Sequence, residues 1–218
     1  KAVIYPHKPA PEKQRAAAEG QFIDLLEKYH VEMIAIGNGT ASRESEQFVA
    51  EALKKIKRPI YYVIVNEAGA SVYSASKEAR DEFPDLHVEQ RSAISIGRRL
   101  QDPLAELVKI DPQAVGVGQY QHDLPKKELS GELETIVERA VNRVGVNLNT
   151  ASYQLLTRIS GLNKTIAKNI VTYRDENGRY TNRTQLKKVP RLGPKAYQQS
   201  VGFLRIIGGE NPLDNTDI

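Results

Sequence analysis

The stretch that decides the fold of the second half of the chain is SGLNKTIAKNIV at residues 160–171, which returns in altered form as PRLGPKAYQQSV at residues 190–201. In each copy apolar residues precede a short turn, and apolar residues at helical spacing follow it. Leu155, Leu156 and Ile159 precede the first turn, in a helix that we expect Asn149-Thr150 to cap. The repeat predicts a tandem pair of helical hairpins.

A hairpin of this kind can bind phosphate because the backbone N–H groups at the amino end of its second helix face one way. Glycine in the turn permits a positive φ and brings the backbone close to a ligand, and nearby Lys or Arg adds full charge. No base edge is contacted, so binding is expected to be nonspecific in sequence and strongly salt-dependent. The predicted contacts are Gly161, Asn163, Lys164, Thr165, Lys168, Arg191, Gly193 and Lys195.

The pattern resembles the helix-hairpin-helix family, whose usual turn is an apolar residue, Gly, an apolar residue and Gly. Asn163 replaces the second Gly of the first copy, and Arg191 replaces the first Gly of the second copy. Asn tolerates left-handed backbone, whereas Arg does so less readily. The first copy is therefore predicted to be the better phosphate site, and the second to act mainly by charge and packing. The structural alternative is a helical packing module with solvated basic residues.

Charge is distributed unevenly along the chain. Residues 142–209 hold twelve basic side chains and two acidic ones, a local net charge of +10, whereas the whole chain carries +4 and the remainder therefore −6. A concentration of positive charge predicts a polyanionic partner. The four histidines have no metal-ligand spacing, and we expect no metal site.

The absence of Cys excludes disulfides, thiolate metal sites and cysteine nucleophiles. No apolar run approaches the roughly 20 residues of a membrane span, and residues 1–11 do not resemble a signal peptide. We therefore expect a soluble, cytoplasmic protein without a membrane partner.

The first half has the alternating pattern of an α/β domain. Glu12–Tyr29 is predicted to be a helix, Val31–Ile36 a strand, Ser42 the cap of a second helix, and Ile60–Val65 a central strand of a mainly parallel sheet. Ala2–Tyr5 also has strand-like composition. The expected division is 1–110 for this domain, 111–131 for an irregular bridge, 132–208 for the hairpins and 209–218 for the start of a connection to a further domain.

Several stretches of the chain resemble the Tex family of bacterial transcription accessory proteins. The matching segments are IAIGNGTASRE (34–44), NEAGASVYSAS (66–76), RRLQDPLAEL (98–107), GVGQYQHD (116–123), GFLRI (202–206) and NPLDNT (211–216). The resemblance implies a fragment: part of a three-layer YqgF-type, RNase H-like domain followed by an all-α tandem helix-hairpin-helix domain, ending before a barrel that contacts RNA. DNA or RNA is the implied ligand, with RNA polymerase or the ribosome as candidate protein partners.

An RNase H-like domain raises the question of nuclease activity, which needs several carboxylates around divalent ions. Glu67 follows the central strand, and Asp102 with Glu106 could supply another pair, but the first-strand Asp would lie before residue 1. Asp102 before Pro103 also has the pattern of a helix N-cap, and Glu67 could order its turn. We expect a nonenzymatic binding module without cofactor. The alternatives are a Mg²⁺-dependent nuclease in the intact parent and an interaction scaffold on transcription or translation machinery.

Overall fold

The computed structural model describes residues 3–7, 10–116 and 118–217. These residues form two compact units that divide between Leu100 and Gln101, ten residues before the domain boundary expected from the sequence.

The described residues of the first unit form two parallel strands and five helices. Strand β1 pairs with β2 in the register that places Met33 beside Tyr61 and Gly37 beside Val65, and helix α2 forms the crossover between them. A strand, helix, parallel strand connection is the βαβ unit that the sequence pattern predicts, so the α/β class is confirmed. The elements are α1 (Glu12–Lys28), β1 (Met33–Gly37), α2 (Ser42–Leu53), β2 (Tyr61–Val65), α3 (Ala70–Ala75), α4 (Lys77–Glu82) and α5 (Val88–Gln101).

Two sequence expectations for this unit differ from the structure. Ser42 is the first residue of α2 and not its cap: Ala41 holds the capping position, and no side chain caps the helix. The backbone N–H of Ser42 already donates to the carbonyl of Gly39 in the preceding turn, so the helix begins one residue early. Val3, Ile4 and Tyr5 do not form a strand, and Ala2 lies outside the described residues.

The second unit is mainly helical. Two short strands, β3 (Val146–Asn147) and β4 (Leu204–Arg205), lie on either side of the hairpins in the sequence and pair in parallel, Val146 with Leu204 and Asn147 with Arg205. Its elements are α6 (Pro103–Leu107), α7 (Pro112–Val115), α8 (Lys126–Val144), β3 (Val146–Asn147), α9 (Tyr153–Leu156), α10 (Lys164–Asn177), α11 (Pro194–Ser200) and β4 (Leu204–Arg205), with 3-10 helices at Gln121–Asp123, Arg183–Lys188, Val201–Phe203 and Pro212–Asn215.

One continuous hydrophobic core unites the second unit. Both hairpins contribute to it, with Leu156 and Ile170 from the first and Leu186 from the second fully buried. The residues after β4 also return to this unit, because the N–H of Ile206 donates to Asp214 and the Asp214 carboxylate accepts from the N–H of Arg183. The segment expected to be an irregular bridge contains α7, a 3-10 helix and the first turns of α8.

None of the helices in the described part of the chain combines the length and apolar character needed to cross a membrane.

Candidate nucleic-acid interface

The first hairpin consists of α9, a seven-residue turn segment at 157–163, and α10. The cap of α9 is Ser152, whose hydroxyl accepts from the N–H of Leu155 at 3.3 Å. The predicted Asn149-Thr150 cap is therefore wrong. Asn149 instead exchanges two hydrogen bonds with the backbone of Tyr180, and the Thr150 hydroxyl donates to Asp102.

The two turns share one backbone geometry. Gly161 has φ +84° and Arg191, at the equivalent position thirty residues later, has φ +66°. Each turn is closed by the same bond, from the N–H of Leu162 to Ile159 at 3.1 Å and from the N–H of Leu192 to Val189 at 3.2 Å. Arg191 therefore adopts the conformation that glycine takes in the first copy, despite the cost of about 1–2 kcal/mol for an L-residue there.

The start of α10 presents free backbone donors. Asn163 caps the helix through its side-chain oxygen, which accepts from the N–H of Ile166 at 2.9 Å. The N–H groups of Lys164 and Thr165 have no acceptor among residues 3–7, 10–116 and 118–217. Unsatisfied N–H groups at a helix start carry partial positive charge and favour anions. The Asn that replaces the family's glycine leaves these two donors available.

The second hairpin consists of the 3-10 helix at Arg183–Lys188, the turn and α11. Gly193 occupies the capping position of α11, so this helix has no side-chain cap. Pro194 is its first residue, so the first helical position has no backbone N–H. Two exposed cations, Arg191 and Lys195, flank the turn of this hairpin. The second turn thus combines Arg191, in a left-handed backbone conformation, with Lys195 at the second position of α11.

All eight predicted phosphate contacts are exposed. Lys168 lies over the ring of Tyr153, with its Nζ atom 5.2 Å from the ring centroid, and Lys187 lies over Tyr197 at the same distance. A cation over an aromatic face is held in place while its charge remains accessible. Lys187 was not among the predicted contacts, although it belongs to the basic set counted in the sequence.

Each hairpin turn packs against the second helix of the other hairpin. The Asn169 side chain on α10 donates to the carbonyl of Pro190 at 2.8 Å. In the opposite direction, a Cβ added at Gly161 would lie 2.7 Å from Cβ of Gln199 and 3.2 Å from the carbonyl oxygen of Ala196, both on α11. Close packing therefore requires glycine at 161, and glycine also adopts the positive φ angle there without steric cost.

The carboxylates considered for a nuclease centre have structural partners. Asp102 caps α6 by accepting from the N–H of Ala105 at 3.0 Å, with Pro103 at the first helical position, as the Asp-Pro pattern predicts. Glu106 is buried and forms an ion pair with Lys109 at 2.7 Å, with both side chains at most 3% exposed.

Glu67 lies in the first unit, just after β2. Its carboxylate occupies the space over Gly37 and Gly39, where any Cβ would overlap it, and its N–H donates to the Asn38 side chain at 3.1 Å. In the part of the chain that the structure describes, no group of three or more His, Asp or Glu side chains could hold a metal ion.

Fold and motif together define a two-unit protein in which an α/β domain precedes a tandem helix-hairpin-helix domain. Comparison with known families agrees: residues 1–101 match the Tex protein YqgF-like domain, and residues 141–205 match the helix-hairpin-helix motif. The chain belongs to the Tex family.

Curated relatives share this sequence at high identity. An uncharacterized protein, YdcI, of Bacillus subtilis is 61% identical over 99% of this chain and 30% of its own length. The transcriptional accessory protein Tex of Neisseria gonorrhoeae is 58% identical over 87% of this chain and 25% of its own length. The S1 RNA-binding domain-containing protein 1 of Homo sapiens is 51% identical over 84% of this chain and 19% of its own length. The chain thus spans less than a third of these relatives.

Proposed function

We propose that this chain binds nucleic acid without sequence selectivity, as part of a Tex-like transcription accessory factor, by gripping backbone phosphates at the helix-hairpin-helix turns. The observation that carries the proposal is made at the start of α10. The backbone N–H groups of Lys164 and Thr165 have no acceptor in the described part of the chain, and the Lys164 side chain next to them is exposed. Backbone N–H dipoles at a helix start attract a phosphate group, and a lysine side chain beside them adds a full positive charge.

The charge distribution supports a polyanion as ligand. The hairpin region carries +10, and its exposed cations include Lys164, Lys168, Arg191 and Lys195. Counterion release from a nucleic acid makes each phosphate contact salt-dependent, with a slope of about 0.7–0.9 per contact in a logarithmic plot. Backbone N–H groups and Lys side chains at phosphate do not distinguish bases, so the binding is independent of sequence.

The names of the relatives agree with this role. One is called a transcriptional accessory protein and another an S1 RNA-binding domain-containing protein. DNA and RNA are both proposed ligands, because phosphate-gripping turns accept either backbone. RNA polymerase and the ribosome are proposed as the assemblies on which such a factor acts.

We propose a nonenzymatic role that needs no cofactor. Asp102 caps a helix and Glu106 forms a buried ion pair, so both carboxylates have structural roles. The Glu67 carboxylate fills the space over Gly37 and Gly39. A nuclease would be indicated by Mg²⁺- or Mn²⁺-dependent cleavage that disappears in Glu67→Gln. A protein scaffold would be indicated by partner binding that survives nuclease treatment.

The proposal is tested by a salt series on labelled single- and double-stranded DNA and RNA. Lys164→Ala with Lys168→Ala is expected to lower the salt slope by about 1.4–1.8, the equivalent of two phosphate contacts, and to weaken binding. Lys126→Ala with Lys127→Ala removes the same charge from the exposed start of α8 and serves as the matched control. Equal slopes for the two double variants would contradict the hairpin assignment.

A further inference from the structure

The contact between α10 and the second turn has a specific geometry. Asn169 and Gln199 occupy equivalent positions of the repeat, six residues after Asn163 and Gly193 respectively. Both reach the turn of the other hairpin, but they do so differently. Gln199 packs its Cβ against Gly161, whereas Asn169 donates a hydrogen bond to the carbonyl of Pro190.

The Pro190 carbonyl belongs to the peptide plane whose nitrogen is that of Arg191. Rotation of this plane changes ψ of Pro190 and φ of Arg191 together, and such a rotation would release Arg191 from its left-handed conformation. The bond from Asn169, 2.8 Å long, fixes the orientation of the plane. It thereby opposes the relaxation that an arginine at φ +66° would otherwise undergo.

The first turn needs no equivalent bond, because Gly161 occupies the left-handed region without steric cost. The hydrogen bond therefore occurs at the turn that contains the unfavourable residue. An outlier of this kind persists when the surrounding structure determines it, and such outliers concentrate at ligand sites.

We propose that Asn169 is a positioning residue for nucleic-acid binding: by holding the Pro190 carbonyl, it keeps Arg191 left-handed and gives the second turn the same backbone conformation as the first. This inference rests on the proposed function. Its consequence is that the second hairpin depends on the first, since the residue that sets the second turn lies on α10.

The test compares Asn169→Ala in two backgrounds, wild type and Arg191→Gly, using 20-nucleotide single strands and 20-base-pair duplexes of DNA and RNA. In the wild-type background the variant is expected to weaken binding by about three- to tenfold, the range of one lost hydrogen bond. In the Arg191→Gly background it is expected to have no effect, because glycine needs no support at a positive φ. Thr172→Ala, at an exposed position on the same helix, is the control.

A second measurement follows the backbone directly. NMR coupling constants and NOEs of Arg191 report its φ angle, and Asn169→Ala is expected to move that angle out of the left-handed region while the circular dichroism of the protein is unchanged. Equal weakening of binding in both backgrounds, or an unaltered φ, would overturn the inference. If the wild-type chain binds none of the four ligands, the proposed function fails instead.

Discussion

Gly161→Ala should destabilise the second unit by more than the left-handed backbone alone can explain. At φ +84° an alanine costs about 1–2 kcal/mol, and its Cβ would meet Cβ of Gln199 at 2.7 Å and the Ala196 carbonyl at 3.2 Å. Overpacking of this kind costs about 1–3 kcal/mol. The alanine also lowers the conformational entropy of the unfolded chain, which offsets about 0.4–1 kcal/mol of this loss. The expected net loss is about 1–4.5 kcal/mol, of which the overpacking contributes about 1–3 kcal/mol.

The matched control for this substitution is Gly208→Ala. Gly208 also has a positive φ, +68°, but nothing lies within 4 Å of an added Cβ, so only the backbone cost applies, a net loss of about 0–1.5 kcal/mol. The free energies of unfolding are measured by urea titration, read from amide NMR signals of the second unit so that its transition is separated from that of the first. Losses that agree within 0.5 kcal/mol, a margin of about the usual uncertainty, would refute the argument that the first turn packs tightly on α11.

Three further predictions concern single side chains. Asn163→Ala should cost about 1 kcal/mol in unfolding free energy by leaving the N–H of Ile166 uncapped, measurable by the same titration. Arg191→Gly should raise stability by up to about 1 kcal/mol, because the left-handed cost of arginine slightly exceeds the entropy of the added glycine, while the nucleic-acid affinity falls with the lost charge. Burial raises the pKa of Tyr180, whose hydroxyl donates to the Ile170 carbonyl at 2.9 Å. The phenol of the unfolded chain ionises near pH 10 while that of the folded chain stays protonated, so the contribution of Tyr180 to the free energy of unfolding is complete below about pH 10 and is lost above it. The melting temperature of Tyr180→Phe should therefore fall less steeply between pH 10 and 11 than that of the wild type.

Local patterns in the sequence were sufficient to predict much of this fold. The period of apolar residues predicts α1, α10 and the two strands of the first unit, and the Asp102-Pro103 pair predicts the start of α6, because in each case the determining interactions lie within a few residues. The tandem hairpins follow from the repeat itself.

Features that depend on distant contacts could not be predicted in this way. The Asn149-Thr150 cap was wrong because Thr150 bonds to Asp102, 48 residues away, and Ser152 caps α9 instead. Arg191 was predicted to weaken the second turn as a phosphate site, because arginine, like most residues other than glycine, avoids a positive φ. The Asn169 side chain, 21 residues before Pro190 in the sequence, donates a hydrogen bond to the Pro190 carbonyl next to Arg191, and no local motif predicts this contact.

The central claim concerns the backbone N–H groups at the start of α10, and amide NMR observes them directly. On addition of a 20-nucleotide single strand, the signals of Lys164 and Thr165 should shift progressively, and the shifts should decrease as salt is raised. Lys126 and Lys127 provide an internal comparison, because they are exposed lysines at the start of another long helix, α8, which unlike α10 has no side-chain cap. Shifts confined to α10 and the two turns are the predicted result. Equal shifts at both helix starts, or none at Lys164 and Thr165 while the strand is bound, would contradict the account.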